Sequence, residues 1–472
     1  MMESRNGNIK VIVAILPRIE TYKPPLNLAI IKACVESRNY TCECKDYNIE
    51  WYLTNNEHVK MFYSDEATRY FTSEEEFSRI IWPMIEGFIT KKASELANSD
   101  AEVIGFSVIR DNRMLTYEIC RRIKSLAPEK TIVVGGASYL ETEQCIRALH
   151  SGAVDFVVSG EGEVTFLELL DWINNGGTAS ALREIKGIYH QLNGEVVTNA
   201  KRPNIAELDK IPFPSFSAFN RTQYDYDIIP ICGSRGCINR CAFCSERNQY
   251  DRYRARSGLS IYEEIKRHYK ETGCTQYQFV DSLMNGNLKE LNALCYYLMR
   301  DLCGMISWGG NVIIRKQMTE NVFKKMYRAG CRWVYLGVES GSQNVLRTMN
   351  KRFTVELAKE TIRNAKESGI RTSVFFLVGF PTETEDDFRM SLEFISQNRE
   401  MLDGVFAGWG CSIGSGTALH ENPENFGITW QNGDWYTAYS TPRIREDRVM
   451  RIRRLCSEYG LLVGAPTFVK RS

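Results

Sequence analysis

The sequence lacks a long apolar run and carries almost no net charge. None of its hydrophobic stretches approaches the roughly 20 residues that a membrane-spanning helix needs. Its first residues, Met-Met-Glu-Ser-Arg-Asn-Gly-Asn, contain no apolar segment typical of a secretory leader. Lysine and arginine number 59 against 58 for aspartate and glutamate, so charge favours neither a membrane nor nucleic acid as a partner.

Disulfide bonds are not expected, although the chain is rich in cysteine. Fifteen cysteines without a secretory leader indicate a reducing compartment, so we expect a cytoplasmic protein. Cys34, Cys120, Cys295 and Cys331 lie in stretches of apolar periodicity and are predicted core residues. With 472 residues, of which 43% are hydrophobic, the chain is long enough for two or three globular domains.

Three cysteines form a C-x3-C-x2-C run, Cys237, Cys241 and Cys244, with the aromatic Phe243 just before the third. A structural zinc site normally has four protein ligands, and a cluster held by four cysteines has no free iron. The run therefore predicts a 4Fe-4S cluster with one iron open to a substrate or cofactor. The alternatives are a zinc knuckle whose fourth ligand lies elsewhere and a chance spacing.

This run resembles the signature of the radical S-adenosylmethionine (SAM) enzymes. In that family the open iron binds the amino and carboxylate groups of SAM, and one electron from the cluster cleaves SAM to a deoxyadenosyl radical. The resemblance implies a 4Fe-4S cluster, SAM as a cofactor, and an electron donor such as flavodoxin or ferredoxin.

The N-terminal third alternates predicted strands and helices, which is typical of a parallel, doubly wound sheet of the Rossmann-like kind. Ligands of such sheets bind in loops at the carboxyl ends of the strands. The predicted strands are 8–16, 41–46, 103–109, 131–135 and 154–158, and the helices include 75–98, 113–126 and 141–150.

Three turns in these loops resemble the cobalamin-binding domain that precedes one branch of radical SAM enzymes. They are the Pro-Pro-Leu-x-Leu-Ala turn, the Val-Val-Gly-Gly loop and the Ser-Gly-Glu-Gly-Glu turn. The resemblance implies cobalamin contacts from Pro25, Leu26, Asn27, Ser107, Gly135, Gly136, Ser159, Glu161 and Gly162.

One motif of many cobalamin proteins is missing. Asp-x-His-x-x-Gly, whose histidine coordinates cobalt from below, does not occur in this sequence. We therefore expect cobalamin to bind without a histidine lower ligand. The alternative is that the domain has lost cobalamin and only supports the fold.

Repeated β/α units from residue 227 onward predict a partial TIM-like barrel of about six parallel strands. The predicted strands are 227–232, 276–281, 307–314, 332–338, 371–378 and 404–411, with helices at 260–272, 287–301, 319–329 and 354–368. The expected domains are a cobalamin-binding domain at 1–203, a linker at 204–226, a radical SAM core at 227–415 and a helical extension at 416–472.

Polar residues follow several strands of the predicted barrel, at the edge where such barrels place functional residues. They are Asp281, Arg315, Glu339 and Ser340. In the resembling family, residues at these positions hold the amino group, carboxylate and ribose of SAM; Arg315 suits a carboxylate and Glu339 an ammonium or ribose. The alternative is that Arg315 and Glu339 pair with each other.

The turn Gly379-Phe380-Pro381 resembles the family's turn whose backbone lies along the adenine of SAM. Beyond it, Cys411 is predicted to be a core residue at the end of the last strand. The arginine-rich segment 443–456, with apolar residues at helical spacing, predicts an amphipathic helix with a solvated charged face.

The resemblance implies a cobalamin-dependent radical SAM enzyme, and we expect a methyltransferase acting on a carbon of a small molecule or peptide. Its chemistry requires both cofactors to face a common, water-poor cavity. One alternative keeps both cofactors but performs cyclisation or rearrangement without methyl transfer. Another is a non-catalytic iron–sulfur protein for electron transfer or regulation.

Overall fold

The computed structural model describes residues 9–54, 57–64, 67–407, 410–431 and 433–464. The chain divides into two compact units, Met1–Asp227 and Ile228–Ser472. No helix among these residues is both long and apolar enough to cross a membrane.

The first unit contains a seven-stranded sheet with helices between its parallel strands. Its strands are β1 Lys10–Ile15, β2 Thr41–Asp46, β3 Val103–Ser107, β4 Thr131–Gly135, β5 Phe156–Val158, β6 Ile188–Leu192 and β7 Glu195–Thr198. Its α-helices are α1 Leu26–Glu36, α2 Tyr47–Tyr52, α3 Glu57–Met61, α4 Thr68–Thr72, α5 Glu74–Glu76, α6 Trp82–Ala97, α7 Arg113–Leu126, α8 Thr142–His150, α9 Gly162–Asn174 and α10 Ala179–Glu184.

The strand order in this sheet is β2-β1-β3-β4-β5-β6-β7, parallel as far as β5. The order reverses direction at β1, which is the topology of a doubly wound sheet. Strand β1 is buried on both faces beyond its first residue, as its run of Val, Ile and Ala requires between two helical layers. The predicted doubly wound fold is therefore confirmed.

An antiparallel hairpin, β6 and β7, extends this sheet and was not predicted. Its two-residue turn is Asn193-Gly194, and both residues have positive φ, 52° and 84°. Asn-Gly between two apolar stretches is a strong hairpin signal, because both residues tolerate the left-handed region. The sequence thus held the information, although no strand was predicted for these residues.

The predicted helix 75–98 is interrupted near its start. The segment Phe77–Ile81 forms a π-helical turn between α5 and α6. Pro83 follows this turn, and its ring nitrogen cannot donate the bond that a continuous α-helix would need there. The local widening is the expected response to a proline in the first turn of α6.

The second unit contains a seven-stranded parallel sheet and two short hairpins. Its strands are β8 Ile229–Ile231, β9 Ser234–Arg235, β10 Arg254–Ala255, β11 Gln276–Phe279, β12 Ser307–Val312, β13 Cys331–Glu339, β14 Arg371–Phe376, β15 Gly404–Phe406, β16 Thr429–Gln431, β17 Asp434–Tyr436 and β18 Leu462–Val463. Its α-helices are α11 Glu246–Gln249, α12 Gly258–Thr272, α13 Leu288–Asp301, α14 Glu320–Arg328, α15 Gln343–Thr348, α16 Val355–Glu367, α17 Glu385–Asn398, α18 Ala418–Glu421 and α19 Pro442–Glu458.

The strand order in the seven-stranded sheet is β8-β11-β12-β13-β14-β15-β18. Each strand therefore lies beside the strand of the same sheet that follows it in the sequence. All neighbours are parallel, which is the arrangement of a partial β/α barrel. The six predicted strands are present, and the two-residue β18 was not predicted. The prediction for 404–411 includes residues 408–409, which lie outside the described residues.

The cysteines outside the C-x3-C-x2-C run are mostly packing residues. Cys34, Cys120, Cys295, Cys331 and Cys411 are all buried, as predicted. Each of the fifteen cysteines falls within the described ranges and is a free thiol.

Candidate functional site

The loop that carries the three clustered cysteines begins at a buried carboxylate. Strand β8 ends at Ile231, and the backbone N–H of Gly233 and the hydroxyl of Ser234 donate to the Asp281 carboxylate at 2.9 and 2.5 Å. Complete burial raises the pKa of Asp281 to about 7, and these two donors act against that rise. Asp281, predicted to contact SAM, thus lies at the end of β11 and holds the start of the loop.

The three thiols of the run lie in one partly exposed loop. Asn239 N–H donates to Cys237 Sγ at 3.4 Å, and Cys244 N–H donates to the carbonyl of Cys241 at 3.2 Å. Burial raises the pKa of all three thiols, and that of Cys241, where Glu339 and the neighbouring thiols add to the rise, reaches about 11. The thiols are therefore near enough for the charge on one to affect the pKa of another.

The three thiols are a donor set that fits a 4Fe-4S cluster. Three cysteines bind three of its irons and leave the fourth without a protein ligand. A structural zinc site would need a fourth protein ligand in addition. Among the described residues, no group of three or more His, Cys, Asp or Glu side chains is placed to hold a single metal ion.

A second segment, the end of α15, packs against the cysteine loop. Ala242 N–H donates to the Met349 carbonyl at 3.0 Å, and the Asn350 side chain donates to the Arg240 carbonyl at 2.7 Å. Asn350 has φ of 60°, which ends the short helix and turns the chain back. The next residue, Lys351, is thereby directed to the cysteines.

Lys351 forms a buried ion pair with Glu339, the last residue of β13. The Nζ–Oε1 distance is 3.0 Å, and the two side chains are 9% and 13% exposed. Burial alone would lower the pKa of Lys351, but Glu339 and Cys241 favour its charged form and the net shift is upward. Lys351 in turn lowers the pKa of Cys237, Cys241 and Cys244 against the effect of burial.

The backbone of β13 is shaped around this pair. Glu339 has φ of 69°, and the register with β14 shifts between Gly337 and Glu339. A Cβ added to Gly337 would lie 2.7 Å from Glu339 Oε1 and 3.4 Å from Lys351 Nζ. The glycine therefore makes the space that the carboxylate occupies.

Sequence reasoning missed Lys351. It lies 12 residues beyond Glu339 and does not follow a strand directly. Glu339 is predicted from its position at the carboxyl end of a strand, and that criterion does not include Lys351. The usable signal was Asn350, a residue type that often ends a helix in the left-handed conformation. A turn at that point brings the following residue back toward the preceding strand end.

The other predicted SAM residues have definite partners. Phe243 packs beside the buried cluster of Phe380, and Lys351 Nζ lies 5.4 Å from the Phe243 ring centroid. Arg315 donates to the carbonyls of Asn285 and Gly286 at 3.1 and 3.3 Å. Its expected alternative pairing with Glu339 is not what these side chains form, because Glu339 pairs with Lys351.

Ser340 and the turn at Gly379 lie at the ends of neighbouring strands. Ser340 is fully buried, accepts from Ser342 N–H at 3.1 Å and lies 3.3 Å from the Ser391 hydroxyl. Gly379 has φ of 74°, Phe380 is buried, and the Pro381 carbonyl accepts from Thr437 at 2.7 Å. Phe243 connects two of the predicted SAM residues, because it lies beside Lys351, the partner of Glu339, and packs against the buried cluster that contains Phe380.

The solvated face predicted for the arginine-rich helix α19 is wrong in part. Arg445 and Arg448 are buried, whereas Arg443 and Arg454 are exposed. Arg448 forms an ion pair with Glu383 at 3.1 Å. An arginine can be buried when its charge is paired, as that of Arg448 is, and helical periodicity alone did not reveal that partner.

In the first unit, the loops at the carboxyl edge of the sheet meet as predicted for a doubly wound fold. The Asn27 amide, in the first turn of α1, donates to the Ser107 hydroxyl at the end of β3 at 2.6 Å. Asn27 is exposed, and Pro25 and Leu26 precede it at the start of that helix. Two residues predicted to contact cobalamin are thus brought together from different loops.

The loops after β4 and β5 also contact each other. Ser159 donates to the Tyr139 carbonyl at 2.7 Å, and Glu161 accepts from Ile205 N–H at 2.5 Å. Gly162 begins α9. Among the described residues, the buried Ser138 hydroxyl in the β4 loop has no hydrogen-bond partner, so it remains available to a ligand.

The Gly135-Gly136 pair lies where the loops after β3 and β4 touch each other. Gly136 has φ of 111°, and a Cβ there would lie 2.6 Å from the Val108 carbonyl oxygen. Gly135 accepts from Val108 N–H at 2.7 Å. These glycines allow the loops after β3 and β4 to interlock, and the polar edge formed by Asn27, Ser107 and Ser138 fits a large polar cofactor.

Comparison with known proteins assigns both units. The Radical SAM superfamily profile matches residues 231–395, and the B12 binding domain profile matches residues 89–170. These ranges contain the cysteine loop with the strands β11–β14, and the β3–β5 edge of the first sheet.

Two relatives of this chain carry different names. An "uncharacterized methyltransferase" of Pyrococcus horikoshii is 29% identical over 300 residues, which are 62% of this chain and 64% of the relative. An anaerobic magnesium-protoporphyrin IX monomethyl ester cyclase of Cereibacter sphaeroides is 27% identical over 317 residues, 64% of this chain and 51% of the relative. The match therefore spans less than two thirds of the length of either relative.

One solved structure resembles nearly the whole chain. It is the radical S-adenosylmethionine methyltransferase TsrM of Kitasatospora setae with cobalamin and a 4Fe-4S cluster bound, at a TM-score of 0.68 and 17% identity. The alignment covers 94% of this chain and 84% of that chain. A likeness at this identity shows the fold.

Proposed function

Because the chain belongs to the radical SAM enzymes that carry a cobalamin-binding domain, we propose that it methylates an unactivated carbon of a small molecule or peptide. The observation that carries this proposal is the cysteine loop packed against the buried Lys351–Glu339 pair. When bound, the cluster and SAM supply a deoxyadenosyl radical that removes a substrate hydrogen, and methylcobalamin supplies the methyl group.

In this proposal the loop between β8 and α11 holds the cluster. Cys237, Cys241 and Cys244 ligate three irons, and the Asp281 contacts keep the loop's first residues in place. The partly exposed position of Cys244 leaves a path to an external electron donor such as flavodoxin or ferredoxin. The free thiols of the chain suit the reducing cytoplasm in which such donors work.

Lys351 and Glu339 suit the amino-acid part of SAM, because that group carries one charge of each sign. We assign Lys351 to the carboxylate and Glu339 to the amino group. Both side chains would contact groups that the open iron also binds, so each buried charge would have a polar partner when SAM is bound. The Gly379-Phe380-Pro381 turn is assigned to the adenine end of SAM.

The first unit is proposed to hold cobalamin at the carboxyl edge of its sheet. Asn27, Ser107 and Ser138 offer amide and hydroxyl groups there. Such groups match the amide side chains of a corrin ring, which both donate and accept hydrogen bonds.

The test is anaerobic purification of the full chain with cobalamin supplied, followed by iron, sulfide and corrinoid quantitation and incubation with SAM and a reductant. We expect about four irons per chain, as a single 4Fe-4S cluster requires, and release of deoxyadenosine. Changing Cys237, Cys241 and Cys244 together to Ala should abolish both. Cys303→Ala, at an exposed cysteine of the same unit, is the matched control and should change neither.

A second candidate function is cyclisation or rearrangement without methyl transfer. The cyclase relative named above is the observation that favours it. With a substrate in hand, S-adenosylhomocysteine formed in proportion to product supports methyl transfer, whereas product without it supports cyclisation. If reduction with SAM yields no deoxyadenosine at all, the chain is an electron-transfer or regulatory protein and both enzymatic proposals fail.

A further inference from the structure

The segment from β17 to α19 contacts the turn that we assign to the adenine of SAM. The Ser440 hydroxyl donates to the Gly379 carbonyl and the Thr437 hydroxyl donates to the Pro381 carbonyl, both at 2.7 Å. Two backbone acceptors of the three-residue turn are thus held by side chains from outside the barrel strands. Their positions depend on how this segment is anchored.

The anchor is a chain of contacts from Arg448 through Glu383 to the turn. Arg448 Nη1 donates to the Glu383 carboxylate at 3.1 Å and to its carbonyl at 3.0 Å. The same carboxylate oxygen, Oε2, accepts from Gly379 N–H at 2.7 Å. The Arg448 and Glu383 side chains are only 3% and 2% exposed.

Arg445, one turn earlier on α19, closes the other side of the turn. A Cβ added to Gly379 would lie 2.5 Å from Arg445 Cγ. The Arg445 guanidinium lies 4.0 Å from the Trp435 ring centroid and donates to Asp434 at 2.7 Å. Its stem is therefore fixed against the glycine.

A buried ion pair is a weak source of stability, because removing two charges from water costs about as much as their attraction returns. What such a pair adds is a defined geometry. In this protein the Glu383 carboxylate of the pair orients the Gly379 N–H. The pair therefore fixes the backbone of the turn that we assign to the adenine of SAM.

We propose that Arg448, acting through Glu383, is a positioning residue that sets the turn Gly379–Pro381 for SAM. This inference rests on the proposed function. It extends the SAM site from the barrel to the C-terminal helix, which sequence periodicity assigned to solvent.

The experiment compares SAM affinity by equilibrium dialysis in cluster-loaded full-length proteins. The variants are Arg448→Met, Arg448→Lys and the double variant Glu383→Met/Arg448→Met. The matched control is Arg443→Met, an exposed arginine on the same helix. Iron content and the thermal midpoint are measured for each protein.

We expect Arg448→Met to bind SAM about 10-fold more weakly, which corresponds to about one hydrogen bond lost between SAM and a displaced turn. Iron content should stay at the wild-type level, Arg448→Lys should recover part of the affinity, and Arg443→Met should match the wild type. The double variant removes both charges of the Arg448–Glu383 pair and leaves neither one unpaired. Its SAM affinity can therefore be compared with that of the wild type if Arg448→Met does not fold.

Unchanged SAM affinity in Arg448→Met, or in the double variant, overturns the inference even if the thermal midpoint falls, because the pair would then serve stability alone. A wild-type protein that holds iron but does not bind SAM overturns the proposed function instead. The two failures are therefore distinguishable.

Discussion

At the scale of single residues, the Lys351–Glu339 ion pair is a part of the barrel that is sensitive to the loss of one side chain. Both side chains are nearly buried, and each is the counter-charge of the other. Removal of one partner leaves a buried charge unpaired, which costs more than the pair contributes. A substitution of either residue should therefore change the affinity for a ligand that binds at this pair.

Lys351→Met should weaken SAM binding about 10- to 100-fold, the range of one lost hydrogen bond between charged groups. Iron content should remain close to wild type, because the three cysteines are intact. Isothermal titration of cluster-loaded protein with SAM measures the effect. Lys316→Met, at an exposed lysine after β12, is the control; equal affinity in Lys351→Met and this control would remove Lys351 from the SAM site.

At the scale of elements, the loops after β3 and β4 depend on one glycine. Gly136 has φ of 111° and ψ of −174°, a region that only glycine adopts without strain. A Cβ added there would also lie 2.6 Å from the Val108 carbonyl oxygen and 2.9 Å from the Val108 nitrogen. Two loops that form the proposed cobalamin edge are therefore held in register by a single backbone conformation.

Gly136→Ala should lower the free energy of unfolding by about 1–3 kcal/mol from backbone strain, with steric overlap adding to it. Gly87→Ala, in the same unit, is the opposite case, since a Cβ there meets nothing within 4 Å. It lies in α6, where replacing glycine by alanine should raise stability by about 0.5–1 kcal/mol. Urea denaturation of both variants measures the two changes in the free energy of unfolding. Equal changes would contradict this account of the loop.

At the scale of the whole molecule, the two sheets share one principle. Parallel strands place their carboxyl ends at one edge, so residues distant in the sequence gather there. Asn27 and Ser107 meet in this way in the first unit, and the cysteine loop meets Lys351 in the second. Each unit thus builds its candidate site by the same topology.

Cobalamin bound to the full chain should lack a histidine lower ligand. In the first unit, His190 is buried in β6 and His150 ends α8, which runs back toward the amino ends of the strands. The side chain of His58 lies outside the described residues. We expect the electron paramagnetic resonance spectrum of the reduced, cob(II)alamin form to show no splitting from an axial nitrogen, and His58→Ala and His150→Ala to leave it unchanged. A nitrogen splitting lost in either variant would identify the ligand.

The sequence by itself determined the elements and the chemistry that depend on nearby residues. The C-x3-C-x2-C spacing, the alternation of strands and helices and the buried cysteines all follow from local order, because a strand's neighbours and a loop's thiols are close in the chain. The Asn193-Gly194 hairpin was equally local and was overlooked.

Only the tertiary structure decided which charges meet. Lys351 reaches Glu339 after a helix and a turn, and Arg448 reaches Glu383 from 65 residues away. Helical periodicity placed the arginines of α19 on a solvated face because an unpaired guanidinium belongs in water. A partner supplied by another element makes burial possible, and that partner is set by packing, which no local pattern contains.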